Sequence, residues 1–98
     1  MDNILSNMIP RLPSELLKEI AFKAKKKRKH RKLSQEELAD KSGVSFGSIK
    51  RFETTGKISL ESLLKVALVL NSLDDFDKLF SPDPEPRSLD DILKQKAK

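Results

Sequence analysis

The feature that most constrains the fold of this chain is the run from Ser34 to Glu53, which reads SQEELADKSGVSFGSIKRFE. Ser34 and Glu37 form a capping-box pattern, in which each side chain accepts a hydrogen bond from the backbone N–H of the other residue. Gly43 is suited to end this helix, because glycine adopts the left-handed conformation without strain. Ser45 can then cap the next helix. The run therefore predicts two short helices joined by a tight turn, which is a helix-turn-helix pattern.

The flanking sequence predicts three further helices. Ser14 can cap a helix that extends to about His30, Ser59 can cap a strongly apolar helix, and Asp74 can cap a last short one. Apolar residues at three- and four-residue steps give the first and the apolar helix a predicted core face, formed by Leu17, Ile20, Ala21, Ala24, Leu60, Leu63, Leu64, Ala67 and Leu70. The last helix carries Phe76, Leu79 and Phe80. Because no segment alternates as a strand would, we predict an all-α bundle of five helices.

Length and composition indicate one small domain with polar appendages. The chain has 98 residues, of which 37% are hydrophobic and 36% are charged. Prolines interrupt the sequence before residue 14 and after residue 80. We therefore predict an N-terminal arm (1–13), a folded domain (14–80) and a proline-spaced tail (81–98).

The tail ends in a second capping-box pattern, Ser88-Leu89-Asp90-Asp91, followed by a small apolar stripe. Such a short helix is marginal in water and needs a surface to hold it. The candidate partner-binding residues are therefore Leu89, Ile92 and Leu93. A tail that stays disordered is an equally good interpretation of the same pattern.

Several classes of function are not supported by the sequence. The chain has no cysteine and one histidine, His30, so we expect neither a disulfide nor a metal site. No catalytic set, glycine-rich phosphate loop or cofactor motif is present, and we expect neither an enzyme nor a bound cofactor. There is no apolar run of membrane-spanning length and no secretory signal pattern, so we expect a cytoplasmic protein.

Positive charge is concentrated in the first part of the chain. Residues 1–57 carry 14 basic and 7 acidic side chains, whereas residues 74–98 carry 5 basic and 7 acidic ones. Seven of the eight residues from Lys25 to Lys32 are Lys or Arg. This run can bind phosphates, serve as a nuclear-import patch or simply form a solvated helix face. Lys27 and Lys32 are its candidate phosphate contacts.

Two charged residues fall on predicted inner faces. Arg28 continues the apolar stripe of the first helix, and Glu53 lies beside Ile49 on the inner side of the helix that begins near Ser45. Isolated charges at such positions are costly, so we predict that Arg28 and Glu53 form a structural ion pair.

The apolar helix that follows Ser59 is hydrophobic on more than one side. Val66, Val69 and Leu73 lie off its predicted core face. A helix with two apolar sides is usually buried on both, and in a small protein this favours a homodimer. These three residues are the candidate dimer contacts.

The segment LSQEELADKSGVS, the ending Ile49-x-x-Phe52-Glu53 and the leucine-rich helix that follows resemble the Cro/repressor-like, or XRE, family of bacterial transcription regulators over residues 14–80. The resemblance implies a repressor-like five-helix bundle with flanking arms, whose helix 45–53 enters the DNA major groove. It further implies that Gln35 holds a phosphate and braces this helix, that Glu53 pairs with a basic residue of the first helix, and that the protein is associated with the bacterial nucleoid.

In that arrangement, the outward residues of the recognition helix are the candidate base readers. They are Ser45, Phe46, Gly47, Ser48, Lys50 and Arg51. Phe46 has no hydrogen-bond donor, so it can contact a thymine methyl, act as a wedge, or pack over the turn and read nothing. The candidate phosphate contacts are Ser34, Gln35, Lys27, Lys32 and Lys57.

Within the XRE family, the stretch from Thr54 to Leu60 is most similar to HipB-type antitoxins. That similarity implies a dimer that represses its own operon at a near-palindromic operator and binds a HipA-type kinase toxin. The predicted function is therefore that of a sequence-specific repressor and antitoxin. The alternatives are an XRE-type regulator without a toxin and a nonspecific polyanion binder that uses the basic run.

Overall fold

A computed structural model describes residues 11–84 of the chain. Over this range the chain forms four α-helices, one 3-10 helix and no β-strand. They are α1 (Pro13–His30), α2 (Gln35–Ser42), α3 (Phe46–Thr55), α4 (Leu60–Val69) and the 3-10 helix (Leu73–Lys78). The predicted all-α fold with five helices is confirmed. The first ten residues and the tail candidates Leu89, Ile92 and Leu93 lie outside the described residues.

Serine side chains begin three of the four α-helices. Ser34 Oγ accepts a hydrogen bond from the N–H of Glu37 (2.9 Å), and Glu37 Oε1 accepts one from the N–H of Ser34 (2.7 Å), which completes the capping box of α2. The hydroxyls of Ser45 and Ser59 cap α3 and α4 in the same way. Because a cap depends on a few adjacent residues, these helix starts could be predicted from the sequence.

The first and last helices begin two residues earlier than their predicted caps, Ser14 and Asp74, imply. Helix α1 starts at Pro13 rather than after a Ser14 cap, since proline suits the first helical position and lacks the N–H that would be left unpaired there. Glu15 Oε1 accepts a hydrogen bond from the N–H of Leu12 at this end. The 3-10 helix begins at Leu73, and its first bond joins the N–H of Asp75 to the carbonyl of Ser72.

The core lies where α2, α3 and α4 meet. Helix α1 packs against α3, α2 packs against both α3 and α4, and the 3-10 helix packs against α4. The residues that form the central cluster are Leu38, Ala39, Val44, Ile49, Val66 and Leu70. This packing fixes α3 between α1 and α2, which leaves one side of α3 at the surface.

The outward side of α4 differs from the prediction. Val66 is 1% exposed and belongs to the core of this single chain, so its assignment as a dimer contact is corrected. Val69 is half-buried against the same cluster, and Leu73 remains exposed. The reason is that α4 has the chain's own elements on two sides, with α2 on one and the 3-10 helix on another. Conversely, Leu17 and Leu60, which we expected in the core, are exposed.

The turn after α3 passes directly over α1. Gly56 has φ +84°, and a Cβ atom at this position would lie 2.8 Å from the backbone carbonyl carbon and oxygen of Leu17. Glycine is therefore required at this position for two reasons: the backbone is left-handed, and the turn lies too close to the backbone of α1 to leave room for a Cβ atom.

An open apolar groove of about 290 Å³ lies between α1, α4 and the 3-10 helix, and no residue of α3 lines it. None of the helices in residues 11–84 has the length and apolar character needed to cross a membrane.

Candidate nucleic-acid interface

Helix α3 has one buried side and one exposed side. Ile49 and Phe52 are completely or almost completely buried, and they anchor the helix to the core. The candidate base readers Phe46, Gly47, Lys50 and Arg51 are exposed. The tight turn at Gly43, with φ +75°, connects α2 to this surface. A short helix held in this way can approach a DNA groove as a rigid unit.

The two serines at the start of α3 bind each other. Ser45 Oγ accepts the N–H of Ser48 (3.1 Å) and also donates to Ser48 Oγ (2.9 Å). Their hydroxyl groups are therefore engaged in capping the N-terminus of the helix. The side chain of Ser48 is half-buried, whereas Ser45 is exposed.

Phe46 and Lys50 form a pair on the exposed side of α3. The Lys50 ammonium lies over the Phe46 ring, 5.2 Å from its centroid, which is within the range of a cation–π interaction. The ring is not buried over the turn, since Phe46 is 40% exposed. The sequence prediction did not include this pair, although the four-residue spacing on a helix was a signal for it.

Gly47 leaves an open position beside Phe46. A Cβ atom placed on Gly47 would meet no atom of the described residues within 4 Å. The fold therefore does not require glycine here.

Arg28 and Glu53 meet on the inner side of α3. Arg28 Nε donates to Glu53 Oε2 (2.7 Å) and Arg28 Nη2 donates to Glu53 Oε1 (3.1 Å), with 9% and 4% of the two side chains exposed. Arg28 Nη1 also donates to the carbonyl of Leu33 (2.7 Å). These hydrogen bonds connect three parts of the chain: α1, the loop that precedes α2, and helix α3.

Gln35, a predicted phosphate contact, joins the same pair. Its Nε2 donates to Glu53 Oε1 at 2.8 Å, which orients the amide at the start of α2. Burial alone raises the pKa of the Glu53 carboxyl. The hydrogen bonds from Arg28 and Gln35, together with the charges of Arg28 and Lys25, outweigh that effect and lower the pKa below its ordinary value. Glu53 is therefore ionised at neutral pH.

The remaining phosphate candidates have different surroundings. Ser34 caps α2, and Lys27 donates from α1 to the hydroxyl of Ser72. Lys32 and Lys57 are exposed, and Lys32 has an unusual φ of +60°. The Lys27–Ser72 contact spans 45 residues, so no local sequence signal could have found it.

Comparison with known families identifies this arrangement. The helix-turn-helix family model matches residues 25–76, which is more than half of the chain and includes all of α2, α3 and α4. The chain belongs to this XRE-type family of DNA-binding regulators, which is not a family of enzymes. A search of curated proteins found no match, and neither did a search of solved structures.

Proposed function

We propose that the chain is a sequence-specific transcriptional repressor that binds a near-palindromic operator as a homodimer. The supporting observation is the division of α3 into a buried side, held by Ile49, Phe52 and Glu53, and an exposed side that carries Phe46, Lys50 and Arg51. A recognition helix needs both features, because base contacts give specificity only when the helix is held in one orientation.

The test is fluorescence anisotropy with DNA from upstream of the chain's own gene. An unrelated duplex of equal length is the control, and both are titrated over a salt series. We expect a preference of about a thousandfold or more for the upstream DNA. Equal and steeply salt-dependent binding to the two duplexes would overturn the proposal and would indicate a nonspecific polyanion binder.

A pair of variants makes this test sharper. Arg51→Ala removes a side chain able to donate to guanine O6 and N7, and it should reduce the preference between the two duplexes. Lys65→Ala is the matched control, because it removes the same charge from an exposed position on α4, outside the helix-turn-helix. The control should keep the preference.

The homodimer is supported by apolar side chains that the described residues leave exposed. Leu68 on α4 is 65% exposed, and Leu73 and Leu79 are also exposed. In the proposed dimer the two α3 helices would contact half-sites centred ~34 Å apart. Sedimentation equilibrium should show a dimer that Leu68→Lys weakens, whereas Leu60→Lys, at an equally exposed position at the start of α4, should not. A monomer in every case would contradict this part of the proposal.

We also propose that the chain is the antitoxin of a HipBA-like operon and binds a HipA-type kinase toxin. The resemblance of the stretch from Thr54 to Leu60 supports this role. The apolar groove between α1, α4 and the 3-10 helix adds a surface for a protein partner that is separate from α3. A stand-alone regulator would lack such a partner.

This second proposal is tested by co-expression with the product of the neighbouring gene. Size-exclusion chromatography should show a complex, and removal of residues 81–98 should weaken the complex but retain DNA binding. If the complex forms equally well without residues 81–98, the tail is not the binding segment. Absence of a complex with the full chain would favour the stand-alone regulator.

A further inference from the structure

The pair formed by Phe46 and Lys50 combines two chemical groups at the exposed start of α3. The aromatic ring offers an apolar surface, and the ammonium offers hydrogen-bond donors 5.2 Å from the ring centroid. In the DNA major groove, the only apolar group on a base edge is the C5 methyl of thymine, and guanine presents two acceptors, O6 and N7. The pair therefore matches two different bases.

We propose that this pair reads a thymine beside a guanine: the Phe46 ring contacts the thymine methyl, while Lys50 donates to the guanine. The inference rests on the proposed operator binding and adds the identity of one base step. Neighbouring bases on a strand are separated by about 3.4 Å, which a ring and an ammonium at 5.2 Å can span.

Two further observations favour contact with a base. Gly47 lies next to Phe46 and has open space where a side chain would be, so a base pair can approach the ring closely. The ring also restricts the position of the flexible lysine. Less side-chain freedom is then lost when Lys50 binds the guanine.

The chain contains a matched control for this pair. On α1, Lys26 Nζ lies 5.4 Å from the centroid of the exposed Phe22 ring, at the same four-residue spacing. This second pair has the same chemistry, but it lies on a different helix. Phe22→Ala therefore reproduces the loss of a phenylalanine from a cation–π pair without changing α3.

The experiment uses the preferred duplex from the anisotropy titration, with each thymine replaced in turn by deoxyuridine. This replacement removes only the methyl group. At one position in each half-site we expect affinity to fall about fourfold, which corresponds to about 0.8 kcal/mol for one buried methyl-sized group. Phe46→Ala should bind the thymine duplex and its deoxyuridine form with equal affinity. Phe22→Ala should prefer the thymine duplex as the unchanged protein does.

A second substitution tests the lysine. Replacing the neighbouring guanine by 7-deazaguanine removes the N7 acceptor, and it should weaken binding by the unchanged protein but not by Lys50→Met. If deoxyuridine is tolerated at every position, or if Phe46→Ala still discriminates against it, the inference is overturned although operator binding stands. If the preferred and unrelated duplexes bind equally from the start, the proposed function itself fails.

Discussion

Glu53 is the residue through which α1, α2 and α3 are connected. Its carboxylate accepts hydrogen bonds from Arg28 on α1 and from Gln35 on α2, and its side chain is 4% exposed. Removing one partner of such a buried pair leaves an uncompensated charge, which is more costly than the net contribution of the intact pair. We therefore expect the pair to control the orientation of α3.

Arg28→Ala tests this role. The substitution should lower the free energy of unfolding by about 3–5 kcal/mol, since Glu53 loses a bidentate partner. Arg28→Lys should restore only part of the loss, because an ammonium cannot bind both carboxylate oxygens and the Leu33 carbonyl in the same planar geometry. Urea denaturation followed by circular dichroism measures these changes.

The matched control is Arg31→Ala, which removes the same charge from an exposed position three residues away. It should change stability by less than about 0.5 kcal/mol. If Arg28→Ala left stability unchanged but abolished DNA binding, Arg28 would be a DNA contact rather than a structural residue.

The lowered pKa of Glu53 makes stability depend on pH. Because the carboxyl is more acidic in the folded chain than in the unfolded chain, the unfolded state takes up its proton first as the pH falls. The stabilisation is fully present above the ordinary glutamate pKa of about 4.3. It is lost as the pH falls through the lower, folded-state pKa.

Glu53→Gln should therefore be less stable than the unchanged chain at pH 7, and the difference should narrow as the pH falls below the ordinary glutamate pKa of about 4.3. Thermal unfolding at a series of pH values measures the difference. Glu36→Gln, on the exposed side of α2, is the control and should have an effect below about 0.5 kcal/mol at pH 7. A difference that is constant across the series would contradict ionisation of Glu53 as the source of stability.

At the scale of the helices, Gly43 and Gly56 show two different requirements for glycine: a positive φ, and room for a close backbone contact. Both end a helix with a positive φ, of +75° and +84°. A side chain on Gly43 would meet nothing within 4 Å, whereas one on Gly56 would collide with the backbone of Leu17. Gly43 therefore satisfies a conformational requirement, and Gly56 satisfies a conformational and a packing requirement.

Gly43→Ala should cost about 1–2 kcal/mol from backbone conformation alone. Gly56→Ala should cost clearly more, because the turn must also move away from α1. Comparing the two free energies of unfolding isolates the packing contribution. Equal losses would show that the contact between this turn and α1 is not needed for stability.

How far the helices could be predicted depends on whether their determinants are local. The caps at Ser34, Ser45 and Ser59 involve residues within one helical turn, so their positions follow from the sequence. The burial of Val66 depends on which other elements cover α4, and helical spacing alone carries no such information.

The same limit applies to the candidate site. Outward positions of α3 can be read from the buried positions of Ile49 and Phe52, but the Gln35–Glu53 and Lys27–Ser72 contacts arise only from tertiary packing.

At the scale of the whole molecule, the residues of the basic run from Lys25 to Lys32 differ in their burial and in their side-chain contacts. Arg28 is buried in the ion pair, Lys27 contacts Ser72, and Lys32 is exposed in the loop before α2. The net charge of the run therefore overstates the number of positive charges available to DNA.

Lys32→Ala and Lys27→Ala should have different effects. Lys32→Ala should reduce the slope of log affinity against log salt by about one unit and leave stability nearly unchanged. Lys27→Ala should lower stability by about 1 kcal/mol or less, because it removes one exposed hydrogen bond to Ser72, and it should reduce the slope by less than Lys32→Ala does. Salt titrations on the preferred duplex, combined with urea denaturation, measure both quantities. Equal reductions in slope for the two variants would show that Lys27 also binds a phosphate.

The cluster of Arg28, Gln35 and Glu53 lies on the inner side of α3, whereas Phe46, Lys50 and Arg51 lie on the other side. This separation has an evolutionary consequence. If the proposed base contacts are correct, a duplicated copy of the gene could change the exposed residues Phe46, Lys50 and Arg51 without altering the buried cluster that holds α3. Under the proposed function, target preference and stability would then depend on different residues of the same ten-residue helix.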